Sequence, residues 1–116
     1  MNYVFPELAA YKKSWIPMLV EARKMLELEK TQHLCTTLYF VAQEYADKIK
    51  KPNEKECADI KLYCALAEEI VATIEAAIHV YHTVTYWLSI KHPDIKYDEV
   101  GYRLAWLDHI IKECQK

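Results

Sequence analysis

Glycine is almost absent: Gly101 is the single one in a chain of 116 residues. Phosphate-cradling loops and dinucleotide fingerprints need several glycines, because the backbone must turn sharply and come close to the phosphate oxygens. Neither can be built here. Tight β-hairpins are disfavoured on the same ground, since type I′ and II′ turns want residues at positive φ. Paired cysteines are missing too. Cys35, Cys57, Cys64 and Cys114 form no Cys-x-x-Cys pair. Reduced thiols in a cytosolic compartment are the natural reading, with buried cysteine acting as a small hydrophobe.

Nor is there an excess of one charge. The formal net charge is -2, and the densest basic run, "DKIKKPNEK", carries Asp47 and Glu54 inside it and reads as a solvated loop. A nucleic-acid-binding domain usually shows a basic face, so no nucleic-acid partner is expected. A long apolar run is missing as well. Residues 70–90 contain no Lys, Arg or Asp, but Glu75, His79, His82 and a Thr-Val-Thr triplet interrupt them. A spanning helix wants about 20 mostly apolar residues and tolerates such groups badly, so no membrane span is expected. The N-terminal "MNYVFPELAAYKK" has no basic start followed by an apolar stretch and is not read as a secretory signal.

What is present fits one ordered domain over residues 1–116. Hydrophobic content of 53% and charged content of 28% argue against disorder. The pattern predicts an all-α fold, a compact bundle of four to five helices. "SWIPMLVEARKMLELE" reads as a helix with Ser14 as N-cap and Pro17 in the first turn, burying Trp15, Leu19, Ala22 and Leu26. "TQHLCTTLYFVAQEYADKIK" follows, with Leu34, Leu38, Val41, Ala42 and Tyr45 on one face; Pro52 ends it and Asn53 can cap the next. The longest helix, "EKECADIKLYCALAEEIVATIEAAIHVY", repeats Ile60, Cys64, Ala67, Val71, Ile74 and Ile78, with Cys57 on that seam or at its edge. Thr83 ahead of "VTYWL" is a start signal. It predicts a break near residue 82 and a short helix over residues 84–90 that turns Val84, Trp87 and Leu88 inward. Asp98 then caps a last helix, "EVGYRLAWLDHIIKECQK", whose expected core face is Val100, Leu104, Leu107 and Ile111.

Residues that carry chemistry are scattered. His79 and His82 are three apart but straddle the expected break, and His92, His109 and the cysteines add no second ligand pair at motif spacing. No Glu-x-x-His step suggests a di-iron bundle. Asp108-His109 lies near Cys114, yet adjacent helical residues point about 100° apart, and no nucleophile–base pair is aligned. The expectation is a protein that is not an enzyme and holds no metal or cofactor.

Three pieces occur in order: "LCTTL" at 34–38, "TVTYWL" at 83–88 and "YRLAWLDHII" at 102–111. Together they resemble a group of small tailed-bacteriophage helical proteins of unassigned function. In that group a helix with an Ile/Leu-Cys step precedes a Thr-x-x-x-Trp-Leu helix start and a C-terminal Arg-x-x-Trp-Leu helix. This chain departs from the group in having no glycine before Thr83. The resemblance implies a phage accessory protein acting in the cytoplasm of the bacterial host, and it brings no catalytic residues.

Two functions follow as expectations. The first is stoichiometric binding to a host or phage macromolecule, to take over host machinery or inhibit a defence system. The second is an oligomeric small-molecule binder that sequesters a nucleotide signal, with Arg23 or Arg103 on a phosphate. For the first, one candidate face carries Tyr39, Gln43 and Glu44. The favoured one is on the last helix: Tyr102, Arg103, Trp106 and Asp108, off the Leu104–Leu107–Ile111 stripe. Trp106 has a competing reading, in which it packs inside a homo-oligomer or against Tyr3 and Phe5.

Overall fold

The computed structural model describes residues 5–28, 33–80 and 99–116. Among them are a 3₁₀ turn at Lys13–Trp15 and four α-helices: α1 (Ile16–Glu27), α2 (Leu34–Asp47), α3 (Glu54–Val80) and α4 (Glu99–Gln115). The fold is an all-α bundle. The expected break near residue 82 and the short helix with Val84, Trp87 and Leu88 lie outside the described residues.

α1 sits between α2 and α4, and α2 packs in turn against α3. The central place of α1 follows from its pattern. Trp15, Met18, Leu19, Ala22, Met25 and Leu26 recur at three- and four-residue steps, and all six are buried. Fully burying a side chain such as Leu19 or Met18 stabilises the fold by about 1.5–3 kcal/mol. The helix starts differently from the expectation. Ser14 lies within the 3₁₀ turn and does not cap. Trp15 takes the cap position without a side-chain hydrogen bond, Pro17 stands in the first turn, and the Trp15 backbone N–H donates to the Lys12 carbonyl at 3.0 Å. Proline has no N–H to leave unsatisfied there, so the helix begins without a capping hydroxyl.

α2 buries Leu34, Leu38, Val41 and Ala42 as its periodicity predicts, and Tyr45 is half-buried. Thr37 is the one polar residue buried with them. Its hydroxyl donates to the His33 carbonyl at 2.6 Å, which removes the cost of burying it. After Pro52, Asn53 caps α3 as expected: the Glu56 backbone N–H donates to its Oδ1 at 2.9 Å. α3 has 27 residues and so extends about 40 Å. Ala67, Ile70, Val71 and Ile74 form its buried stripe. Cys57, expected on that seam or at its edge, is exposed, in a stretch of α3 where residues 54–61 include no buried side chain.

α4 corrects the reading of its core face. The buried side chains are Tyr102, Trp106, Leu107, Ile110 and Cys114, whereas Leu104 and Ile111 only flank the core. The series 102, 106, 110, 114 steps by four, and its first two members are the largest side chains on the helix. Turning them inward removes more apolar surface from water than turning Leu104 and Ile111 inward.

Candidate functional site

The favoured surface on α4 resolves into two different things. Tyr102 is 3% exposed and Trp106 1%, so neither offers a face to a partner. Their rings are 6.3 Å apart at 44°. Phe5, from the N-terminal segment, lies 5.2 Å from the Tyr102 ring and stacks on His109 at 5.1 Å and 25°. The cluster is therefore a seam closed by the N-terminal segment. The Trp106 indole N–H meets no acceptor among the described residues, a cost offset by the ring's burial.

That segment is tied down locally. The Leu8 backbone N–H donates to the Tyr11 hydroxyl at 3.0 Å, and that hydroxyl donates to Glu7 Oε2 at 2.8 Å. Burial, the largest influence, and the neighbouring Glu7 carboxylate push the Tyr11 phenol up to about 12, against the partial opposition of the Leu8 N–H. Glu7 Oε1 stands 3.6 Å from His109 Nε2, near enough for charge attraction once the imidazole is protonated and too long for a hydrogen bond. Farther along, Lys12 pairs with Glu69 on α3, and the Trp15 indole N–H donates to Glu69 Oε2 at 3.3 Å. The Lys12 ammonium, helped by that indole, holds the Glu69 carboxyl below its usual range.

Asp108 and Arg103 stand apart from the seam. Asp108 is exposed but engaged: its oxygens accept from Arg23 Nε at 2.6 Å and from a terminal guanidinium nitrogen at 3.3 Å. The other terminal nitrogen of Arg23 donates to Glu27 at 3.0 Å. This clamp joins α1 to α4. It also occupies the guanidinium that a phosphate-binding reading would need. Arg103 is half-buried.

The other candidate face, on α2, is open. Thr36, Tyr39, Phe40, Gln43, Glu44 and Asp47 follow one another at three- and four-residue steps, and all are exposed. Tyr39 is 48% and Phe40 47% exposed. Gln43 donates to Asp47 at 2.9 Å. No Lys or Arg occurs between Leu34 and Asp47, so the stripe is aromatic and acidic. Phe40 shares this stripe but not the notice the sequence reading gave Tyr39, Gln43 and Glu44. The signal for it was available, since it is the i−4 neighbour of Glu44.

Beside the stripe, a cleft of about 140 Å³ opens between α1 and α2. Its lining combines apolar Met25 and Val41, aromatic Tyr45 and Tyr63, and charged Glu21, Glu44 and Lys48. The Tyr45 and Tyr63 rings stack with centroids 4.5 Å apart at 30°. Burial raises the Tyr63 phenol, and the Glu21 carboxylate raises it further. The cleft has room for about one side chain and is well below the usual volume of a nucleotide-sized pocket.

Among the described residues no three His, Cys, Asp or Glu side chains converge to hold an ion; His82, His92 and the His79 side chain lie outside what is described. The four thiols are unbridged, and burial pushes the Cys35 thiol up to about 11, away from the thiolate form that reacts. No helix among the described residues is long and apolar enough to cross a membrane. No family model, curated protein or solved structure matches the chain.

Proposed function

We propose that this protein acts by occupancy: it is a phage-type accessory protein that binds stoichiometrically to a host or phage macromolecule in the bacterial cytoplasm, blocking a defence system or redirecting host machinery. The observation that carries the reading is the aromatic, acidic stripe on α2, with Tyr39 and Phe40 about half exposed on an ordered helix. Aromatic side chains are enriched at interfaces because they combine apolar area with few rotamers to immobilise. The resemblance to small phage proteins supplies the setting. The docking face moves from α4 to α2, since Tyr102 and Trp106 are enclosed and Asp108 is held by Arg23.

The sequestering reading has less to stand on. Arg23 is clamped by Asp108 and Glu27, and the cleft beside α2 is the size of one side chain.

The test is affinity capture from bacterial lysate with wild type, a Tyr39→Ala/Phe40→Ala variant and a Leu62→Ala control on an exposed position of α3. One macromolecule held in fixed stoichiometry by wild type and the control, and lost by the double variant, is the expected result. A chain that holds no macromolecule but carries a nucleotide through gel filtration overturns the proposal in favour of sequestration.

A further inference from the structure

The cleft between α1 and α2 has the chemistry of an anchor pocket, and we infer that it receives an arginine side chain from the partner that docks on the α2 stripe. The inference rests on the occupancy reading for its source of arginine, but the pocket is defined by its own geometry. Met25 and Val41 offer an apolar wall against which an arginine stem can lie. The stacked Tyr45 and Tyr63 rings present aromatic surface to a planar cation. Glu21 and Glu44 stand at the edge with two carboxylates against the single ammonium of Lys48, so the lining is acidic by one charge. Glu21 is also paired with Lys24 at 3.3 Å, but both side chains are more than half exposed, and such a pair exchanges readily for another.

Arginine suits this combination better than lysine. Its guanidinium is flat, stacks on aromatic faces and meets a carboxylate through two parallel N–H bonds, whereas an ammonium is a compact and strongly hydrated charge. A volume of about 140 Å³ admits one such side chain. The cleft is also continuous with the proposed docking stripe: Glu44 belongs to both, and Phe40 lies one helical turn before it on the same face. A partner helix or loop lying on Phe40 and Tyr39 therefore has an acidic, aromatic pocket within one turn of its path, with Lys48 the single basic residue in its lining.

The experiment is an NMR titration of the intact protein with N-acetyl-arginine methylamide, with the citrulline analogue as a neutral probe of nearly the same shape. Saturable shifts are expected at the Met25 and Val41 methyls and the Tyr45 and Tyr63 rings, and the citrulline probe should bind several-fold more weakly. Glu21→Gln with Glu44→Gln, both at exposed positions, should weaken the arginine probe by about two- to fivefold. Equal shifts from the two probes, shifts centred elsewhere, or none at the solubility limit of the arginine probe would each overturn the inference. These outcomes separate from failure of the occupancy reading. Capture that depends on Tyr39 and Phe40 with no arginine effect removes only the anchor. An arginine effect with no captured macromolecule leaves the pocket and removes the docking partner.

Discussion

Tyr39 with Phe40 on α2 and Tyr102 with Trp106 on α4 are both pairs of aromatic residues within one helix, yet the first pair is about half exposed and the second almost wholly enclosed. Spacing accounts for the difference. Tyr102 and Trp106 are four apart and in phase with Ile110 and Cys114, so one rotation of α4, which packs on α1, buries all of them. Tyr39 and Phe40 are adjacent and both out of phase with Leu34, Leu38, Val41 and Ala42. Burying either would turn α2's aliphatic stripe to water. In α4 the aromatic area itself decides which face turns inward, with Leu104 and Ile111 left to flank the core, whereas in α2 the four aliphatic residues decide it and two out-of-phase aromatics stay at the surface.

The largest expected effect comes from breaking the enclosed pair. Trp106→Ala removes a buried ring and should cost about 3–5 kcal/mol, lowering the melting temperature by about 10–20 °C. Thermal unfolding followed by circular dichroism measures this directly, with Phe40→Ala as the exposed counterpart. Equal melting temperatures for the two variants would dissolve the contrast between α2 and α4.

A smaller effect should come from loosening the cover over that seam. Tyr11 holds the N-terminal segment whose Phe5 lies on Tyr102 and His109. Its phenol is raised from 10.0 to about 12, so between those values the folded chain keeps a proton that the unfolded chain has lost. The resulting stability is fully present below pH 10 and is lost as pH rises through about 12. Denaturant unfolding at intervals from pH 9 to 12 should show a downward slope that flattens in Tyr11→Phe. An unchanged slope would mean that Tyr11 does not secure the segment.

The Arg23–Asp108 clamp, which joins α1 to α4 at the surface beside the seam, should matter less again. Arg23 is about a third exposed and Asp108 about half. Despite two-point geometry, the coupling should be about 0.5–1 kcal/mol and should shrink in high salt. A double-mutant cycle with Arg23→Ala and Asp108→Ala reads it. A coupling well above that range, insensitive to salt, would mean that the clamp carries as much of the α1–α4 contact as the aromatic seam does.

How far all this was legible in the sequence varies by helix. α1 and the middle of α3 were legible because their apolar residues fit one register only: Trp15, Leu19, Ala22 and Leu26 admit no competing stripe, and Ala67, Val71 and Ile74 repeat cleanly. The cap at Asn53 was legible from Pro52 before it and the helical pattern after it. α4 was misread because it holds two overlapping apolar series, Leu104–Leu107–Ile111 and Tyr102–Trp106–Ile110, that share one helix. Choosing between them requires knowing that α1 and Phe5 supply partners for the aromatic series. The Arg23–Asp108 clamp joins residues 85 positions apart, and the cleft draws on three helices. Neither leaves a local trace. The open stripe on α2 was half visible, through Tyr39, Gln43 and Glu44; Phe40 carries no polar group to mark a surface position.

The smallest stability effect and the largest functional one should coincide at Tyr39 and Phe40. Both side chains are about half exposed, out of register with the aliphatic stripe that seats α2. Replacing them with alanine gives up only the covered half of each ring, a loss that alanine's high helix propensity partly offsets. The Tyr39→Ala/Phe40→Ala variant should therefore unfold within about 1 kcal/mol of wild type. Docking, by contrast, would lose two aromatic anchors, and truncating such residues at an interface commonly costs more than about 1 kcal/mol each. Measured side by side, denaturant midpoints should agree while retention of the captured macromolecule is lost. A variant destabilised as severely as Trp106→Ala would place this pair in the core and leave the α2 stripe with no surface to offer. A variant that is fully stable and still holds its partner would move the docking face off α2 altogether.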